Sequence, residues 1–298
     1  MKTSSAPSEI EGKWDQNSFT LSNASVKEKS DKDFLLNEVK QNSRALKYAS
    51  NEFKSDREFL LAAMEQNGNA LLYASNELKD DREMVFHALR NEGRSLRYAS
   101  SSLKGDREIV LAAVQQNGLA IAYASEALKE DKDIALNAVK QNGLCIRNIS
   151  TNLIKDREVV LTAVKENGLA LKDIKQFQHD QEVVLKALKQ NINALKYVST
   201  SLKHKKEFLE SLVKQHKNDK SVVMFALRHH GMALEFASDA LKENEEVVRT
   251  AVHSIGCALR FASTRLKKHL YILPDALRSC NHEGCFCIML PLILAMRN

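Results

Sequence analysis

Asp56-Arg57-Glu58-Phe59-Leu60-Leu61-Ala62-Ala63-Met64-Glu65-Gln66-Asn67-Gly68-Asn69-Ala70-Leu71-Leu72-Tyr73-Ala74-Ser75-Asn76-Glu77-Leu78-Lys79-Asp80 decides the fold, because Asp81 starts the same string again. Asp31, Asp56, Asp81, Asp106, Asp131 and Asp156 open six successive copies at a spacing of 25 residues. A fixed period of this length is the mark of stacked units that bury their apolar faces only against one another. Within the unit, Asp56 is a good helix N-cap, and Glu58 lies in the first turn, where the helix dipole favours an anion. Phe59, Leu60, Ala63 and Met64 recur at helical spacing and predict one buried stripe on a helix of about three turns. Gly68 is expected to end that helix in the left-handed conformation. Seven of the ten glycines fall in this slot: Gly68, Gly93, Gly118, Gly143, Gly168, Gly231 and Gly256.

A second, shorter helix is expected to carry Ala70, Leu71 and Ala74 inward, with Tyr73 wedged beside them. Ser75 then caps or turns the chain, Leu78 packs back, and Lys79 leads to the next cap. No proline interrupts the chain between Pro7 and Pro274, and no period-2 alternation appears. The fold class that follows is all-α, an α-solenoid of about ten 25-residue helix-pair repeats.

The copies continue with defects. The sixth is one residue short, so the seventh opens at Asp180; the eighth, 205–218, loses its second half; further copies open at Asp219 and Asn244. The expected organisation is a flexible N-terminal segment at 1–20 and a repeat array at 21–268. The array includes a half-repeat at 21–30 and irregular units near 145–180 and 205–218. A degenerate apolar cap occupies 269–298.

The chain of 298 residues is 28% charged and 44% apolar, and its 44 basic and 38 acidic residues leave a net charge of +6. Signs so mixed exclude the concentrated positive field of a dedicated nucleic-acid binder. No apolar leader opens the chain. The longest apolar run, 285–296, is shorter than the roughly 20 residues a membrane span needs. Five cysteines without a framework spacing read as reduced thiols, and the expected compartment is the cytoplasm, either the producer's own or a host's cytosol.

The blocks Asp106-Arg107-Glu108-Ile109-Val110-Leu111-Ala112-Ala113-Val114 and Asn117-Gly118-Leu119-Ala120 resemble tandem helical repeats catalogued only as a domain of unknown function. A unit of that family spans two of the periods seen here, and the resemblance covers most of 31–268. It implies the helical-repeat fold and no catalytic residue. Such repeats are found in amoeba-associated bacteria and protists, which adds by analogy the expectation of an effector acting on a host.

Several rows and defects are candidate sites. Lys29, Lys54, Lys79, Lys104, Lys129, Lys203, Lys242 and Lys267 precede the caps, and Arg57, Arg82, Arg107 and Arg157 follow them. They read either as a phosphate-binding stripe or, preferred here, as a solvated edge paired with acids of the same turn. Tyr48, Tyr73, Tyr98, Tyr123, Tyr197, Phe236 and Phe261 read as packing wedges rather than a base-stacking platform, since phenylalanine serves twice. That row breaks at Asn148 and Asp173, near Lys175, Phe177 and His179, and these five are the candidate binding residues, set against simple drift with a small kink. Cys280, His282, Cys285 and Cys287 lie too close together for a structural zinc site and read as buried thiols. Adjacent His229 and His230 point to different helix faces and do not share a metal. No catalytic motif is present, so no catalytic residue, metal or cofactor is expected.

The function expected is a non-enzymatic scaffold that binds a partner protein along one solenoid face. Nucleic-acid or phosphate binding through the Lys/Arg rows is the alternative, and an enzyme with its site in 145–180 is the third reading. The oligomeric state is not legible in the sequence.

Overall fold

The structure, a computed structural model, describes residues 31–41, 43–268 and 272–279. The segments 1–20 and 21–30 and the cysteine-bearing tail therefore lie outside the described residues. The chain divides into two compact units, Met1–Glu166 and Asn167–Asn298, each a stretch of all-α solenoid with no strand among the described residues.

In the first unit the caps open six helices of ten residues. These are α1 (Lys32–Gln41), α2 (Arg57–Gln66), α3 (Arg82–Asn91), α4 (Arg107–Gln116), α5 (Lys132–Gln141) and α6 (Arg157–Glu166). The second unit contains α7 (Gln181–Gln190), α8 (Lys206–Gln215), α9 (Lys220–His229), α10 (Glu245–Ser254) and a closing α11 (Ile272–Arg278). Capping follows the sequence reading: the Asp56 carboxylate accepts from the Phe59 N–H at 3.0 Å, and Asp81 accepts from Met84 at 3.0 Å. Phe59, Leu60, Ala63 and Met64 are completely buried, as is the corresponding stripe of every later copy to within 2%. Burying each large member of the stripe contributes about 1.5–3 kcal/mol.

The second half of the unit is not a second α-helix. It is a six-residue 3-10 helix, as in Gly68–Tyr73, followed by a one-turn helix or turn such as Asn76–Lys79. The tight helix places Ala70 and Leu71 in the core and leaves Tyr73 half-buried.

The glycine role also differs from expectation. No described glycine has a positive φ. The α-helix is stopped by Asn67 in an extended conformation (φ −159°, ψ 109°), and its side chain accepts from the Asn69 N–H at 3.0 Å. Glycine is needed for a close approach instead. A Cβ on Gly68, Gly93 or Gly118 would stand well inside 3.0 Å of the backbone oxygen of Ala88, Ala113 or Ala138 in the next repeat. In the second unit Gly168 and Gly231 meet Ala187 and Ala251 in the same way.

Three kinds of polar staple fix neighbouring repeats in register. The glycine N–H donates to the next repeat's last helical side chain: Gly93 to Gln116 Oε1 and Gly118 to Gln141 Oε1, both at 2.6 Å. The same glutamines donate back to the carbonyls of Asn91 and Gln116 at 3.3 Å. Backbone joins backbone where the N–H of Ser75, Ser100, Ser125 and Ser150 donates to the carbonyl of Lys54, Lys79, Lys104 and Lys129, at 2.8–3.1 Å. The third staple is ionic and lies along the helix N-termini.

Candidate partner-binding surface

The basic residue that begins each of the helices α1 to α5 reaches across to the next repeat. Arg107 donates to Asp131 at 3.0 Å and to Asp133 at 3.1 Å; Arg82 donates to Asp106 at 2.8 Å and also to Glu108. Lys132 lies 2.8 Å from both Asp156 and Glu158, and these hydrogen bonds raise its pKa well above the usual lysine range. The partners are acids of the following repeat, not of the same turn as expected, because stacking brings the next cap directly alongside. Each such cation is shared by two carboxylates, which leaves this edge saturated and slightly acidic.

Some of the lysines before the caps are also engaged locally. Lys54 donates to the Lys47 carbonyl at 3.1 Å, Lys129 pairs with Glu126 at 2.8 Å, and burial lowers the pKa of Lys79.

The aromatic row is half-buried at every described position. Burial pushes the Tyr73 hydroxyl up, whereas the hydrogen bond from Arg94, at 3.3 Å, holds Tyr123 below the ordinary tyrosine value. A cation from the preceding residue stands over several rings: Arg97 over Tyr98 (4.3 Å), Lys196 over Tyr197 (4.9 Å) and Arg260 over Phe261 (4.5 Å).

These cations belong to the outward positions of the 3-10 helices, where the charge balance is unlike that of the opposite edge. Lys47, Arg97 and Arg147 in the first unit and Lys172, Lys196 and Arg260 in the second are exposed. Among the described residues no carboxylate forms an ion pair with any of the six. Leu72, at 39% exposure, interrupts the first unit's row, and half-buried Leu119 and Leu144 add apolar surface directly after the glycine of the same 3-10 helices. The sequence reading missed this row. Its signal was a basic residue directly before the aromatic, at a position that varies between copies and therefore drew no attention.

The family described as Domain of unknown function (DUF4116) matches residues 56–104, 106–154, 131–178, 156–203, 180–218 and 219–267, more than half of the chain. The chain belongs to this family. No curated protein and no solved structure matches it. Every DUF4116 match starts on a capping aspartate: Asp56, Asp106, Asp131, Asp156, Asp180 or Asp219. The matches at 106, 131 and 156 advance by one structural period, so a DUF4116 unit is two stacked periods that can be read in either phase.

The five residues singled out by the break in the DUF4116 pattern are placed as follows. Asn148 closes the 3-10 helix Gly143–Asn148, half-buried, in the first unit. In the second unit Asp173 ends the shortened 3-10 helix Gly168–Lys172, Phe177 is half-buried in the turn Lys175–Phe177, and Lys175 and His179 are exposed. No side-chain hydrogen bond, ion pair or ring contact joins Asp173, Lys175, Phe177 and His179 to one another among the described residues. The break has a packing account. Where Asn148 and Asp173 replace tyrosine, the next residue changes from alanine to Ile149 and Ile174, which are 6% and 0% exposed. Bulk removed at one position returns at the next.

Among the described residues no cluster of His, Cys, Asp and Glu is arranged to hold a metal, and no helix is long and apolar enough to cross a membrane. His229 faces His204, with ring centroids 4.7 Å apart, while His230 lies 3.3 Å from Glu210, so the adjacent pair does diverge. Cys145 is a buried free thiol whose pKa burial pushes up to about 12, which makes it a poor nucleophile. Cys257 is disulfide-bonded, a pairing that no framework spacing announced, so the reading of five reduced thiols does not hold there.

Proposed function

We propose that this DUF4116 array is a non-enzymatic scaffold that binds a partner protein along its 3-10 face, with acidic and apolar side chains on the partner. The observation that carries this reading is the row of outward cations without ion-pair partners among the described residues, with exposed Leu72 in the same row and half-buried Leu119 and Leu144 on the same 3-10 helices. The helix-N-terminal edge, by contrast, is occupied with its own pairs. Cations of this kind steer an acidic partner and set specificity, while apolar neighbours supply affinity.

Arg57, Arg82 and Arg107 and several lysines of the rows on which the nucleic-acid alternative rests are engaged within the chain, which weighs against that alternative. The irregular 145–180 segment is accounted for by exchanged bulk, which weighs against a hidden active site. Delivery into a host remains an analogy from where such repeats occur.

The test is cross-linking followed by affinity purification with the wild-type chain and with Arg97→Glu/Arg147→Glu. The proposal expects a protein partner that the double variant loses, whereas Arg82→Ala, on the self-paired edge, retains it. Equal recovery by all three, or recovery of nucleic acid with a steep salt dependence, overturns it.

A further inference from the structure

A groove of about 650 Å³ opens in the second unit, and its position follows from the truncated eighth repeat. Elsewhere in this unit the 3-10 helix Gly168–Lys172 packs on Ile192–Tyr197, and Gly231–Phe236 packs on Gly256–Phe261. Between these two pairs one 3-10 helix is missing, because the chain runs from α8 directly through 216–218 to the Asp219 cap of α9. The two faces that the absent helix would have covered line the groove. Ile192, Leu195 and Lys196 come from one side, and Val222 and Phe225 of α9 come from the other, with Lys203 at the rim. In a complete repeat the equivalent space is filled by the chain's own 3-10 helix, which buries a small residue and a leucine or isoleucine and in most copies half-buries an aromatic two places on, as in Ala70, Leu71 and Tyr73.

The lining is apolar inside, and its charged members are lysines only. We infer that the groove receives a short acidic segment of a partner protein, one helical turn that presents leucine and an aromatic inward and carboxylates toward Lys196 and Lys203. The segment would replace the missing part of the eighth repeat. Volume and lining both suit this occupant: pockets of about 300–1,000 Å³ accept a few side chains, with a small number of polar groups setting orientation, and helix-in-groove recognition uses apolar anchors at this spacing. The inference rests on the partner-binding reading and adds a second contact point with its own chemistry.

The probe is a labelled synthetic peptide carrying Ala-Leu-Glu-Tyr flanked by glutamates, with a companion in which every glutamate is lysine. Fluorescence anisotropy on the full chain is expected to show saturable binding of the acidic peptide alone. Lys196→Glu/Lys203→Glu should weaken it roughly tenfold or more and favour the basic companion. Phe225→Asp should abolish binding, with circular dichroism confirming that each variant is folded. Arg97→Glu/Arg147→Glu should leave peptide binding unchanged, so retention of the partner by that variant, with intact peptide binding, sinks only the 3-10-face reading. The groove assignment is overturned by absence of saturable binding, by equal binding of the two peptides, or by indifference to the charge reversals. It is also overturned by an oligonucleotide that displaces the peptide, or by a dimer of this chain that Phe225→Asp dissolves.

Discussion

The joint between α3 and α4 in the first unit and the joint between α7 and α8 in the second differ at all three staples. In the first, Arg82 bridges to Asp106 and Glu108, Gly93 donates to Gln116, and Ser125 donates to the Lys104 carbonyl. In the second, Gln181 stands in place of the arginine, Lys205 in place of the capping aspartate and Ile192 in place of the glycine, and the truncated repeat has no serine to donate to Lys203. Yet Phe208, Leu209, Leu212 and Val213 of α8 are still completely buried. The apolar stripe alone therefore keeps a helix in the array. The polar staples and the glycine set how closely its neighbours approach, and a groove opens where they are lost.

The sharpest way to break this comparison is to put bulk into an intact joint. Gly118→Val places side-chain atoms on the Ala138 backbone oxygen, which cannot move without shifting α5. A loss of about 3 kcal/mol is expected in urea unfolding, the upper range for overpacking. Ile192→Ala, at the same repeat position in the open joint, should cost about 1 kcal/mol or less, since that side chain is only half-buried. Comparable losses at both positions would mean that glycine is not what sets the closeness of the intact joints.

The second way is repair. Lys205 occupies the N-cap of α8 without making a side-chain cap, and its positive charge opposes the helix dipole. Lys205→Asp should stabilise the chain by about 1 kcal/mol. Gln181→Arg added to that variant should contribute about 0.5 kcal/mol more, lost at high salt. Gln181→Arg alone faces Lys205 and should bring nothing. A gain from the single arginine, or none from the aspartate, contradicts the assignment of α8 as a broken copy of the ladder.

Periodicity and capping made the solenoid and its long helices legible, because both depend on residues close in sequence. The joints were harder to read. Asn-Gly reads locally as a helix stop, and only the approach of Ala88 to Gly68 shows that the glycine is required by the next repeat. Arg57, Arg82 and Arg107, each directly after a cap, likewise pair with residues 24 and 26 positions on, outside any window of local reading. The exchange of tyrosine-alanine for Asn148-Ile149 was visible in the sequence, but only burial of Ile149 identifies it as conserved bulk rather than a gap. The truncation before Asp219 was legible, and the groove it opens was not.

The smallest effect per site concerns the ionic staples under acid. In the first unit, burial pushes the carboxyls of Asp81 and Asp131 up, but the N–H groups of Met84 and Ile134 and the hydrogen bonds from Arg57 and Arg107 outweigh it and leave both below the usual range. Asp156 is lowered chiefly by Lys132. A carboxyl depressed in the folded state contributes stability that is present above its unfolded pKa of about 3.9 and is lost as pH falls through the folded value. The thermal midpoint should therefore hold from neutrality to about pH 5 and then decline below about pH 4. Arg107→Gln removes one cause of the Asp131 shift, so its midpoint should start slightly lower at neutral pH and fall less steeply in acid. Parallel acid profiles for the variant and the wild type would show that Arg107 does not hold Asp131 in its charged form, and the ladder would then align repeats without making them acid-sensitive.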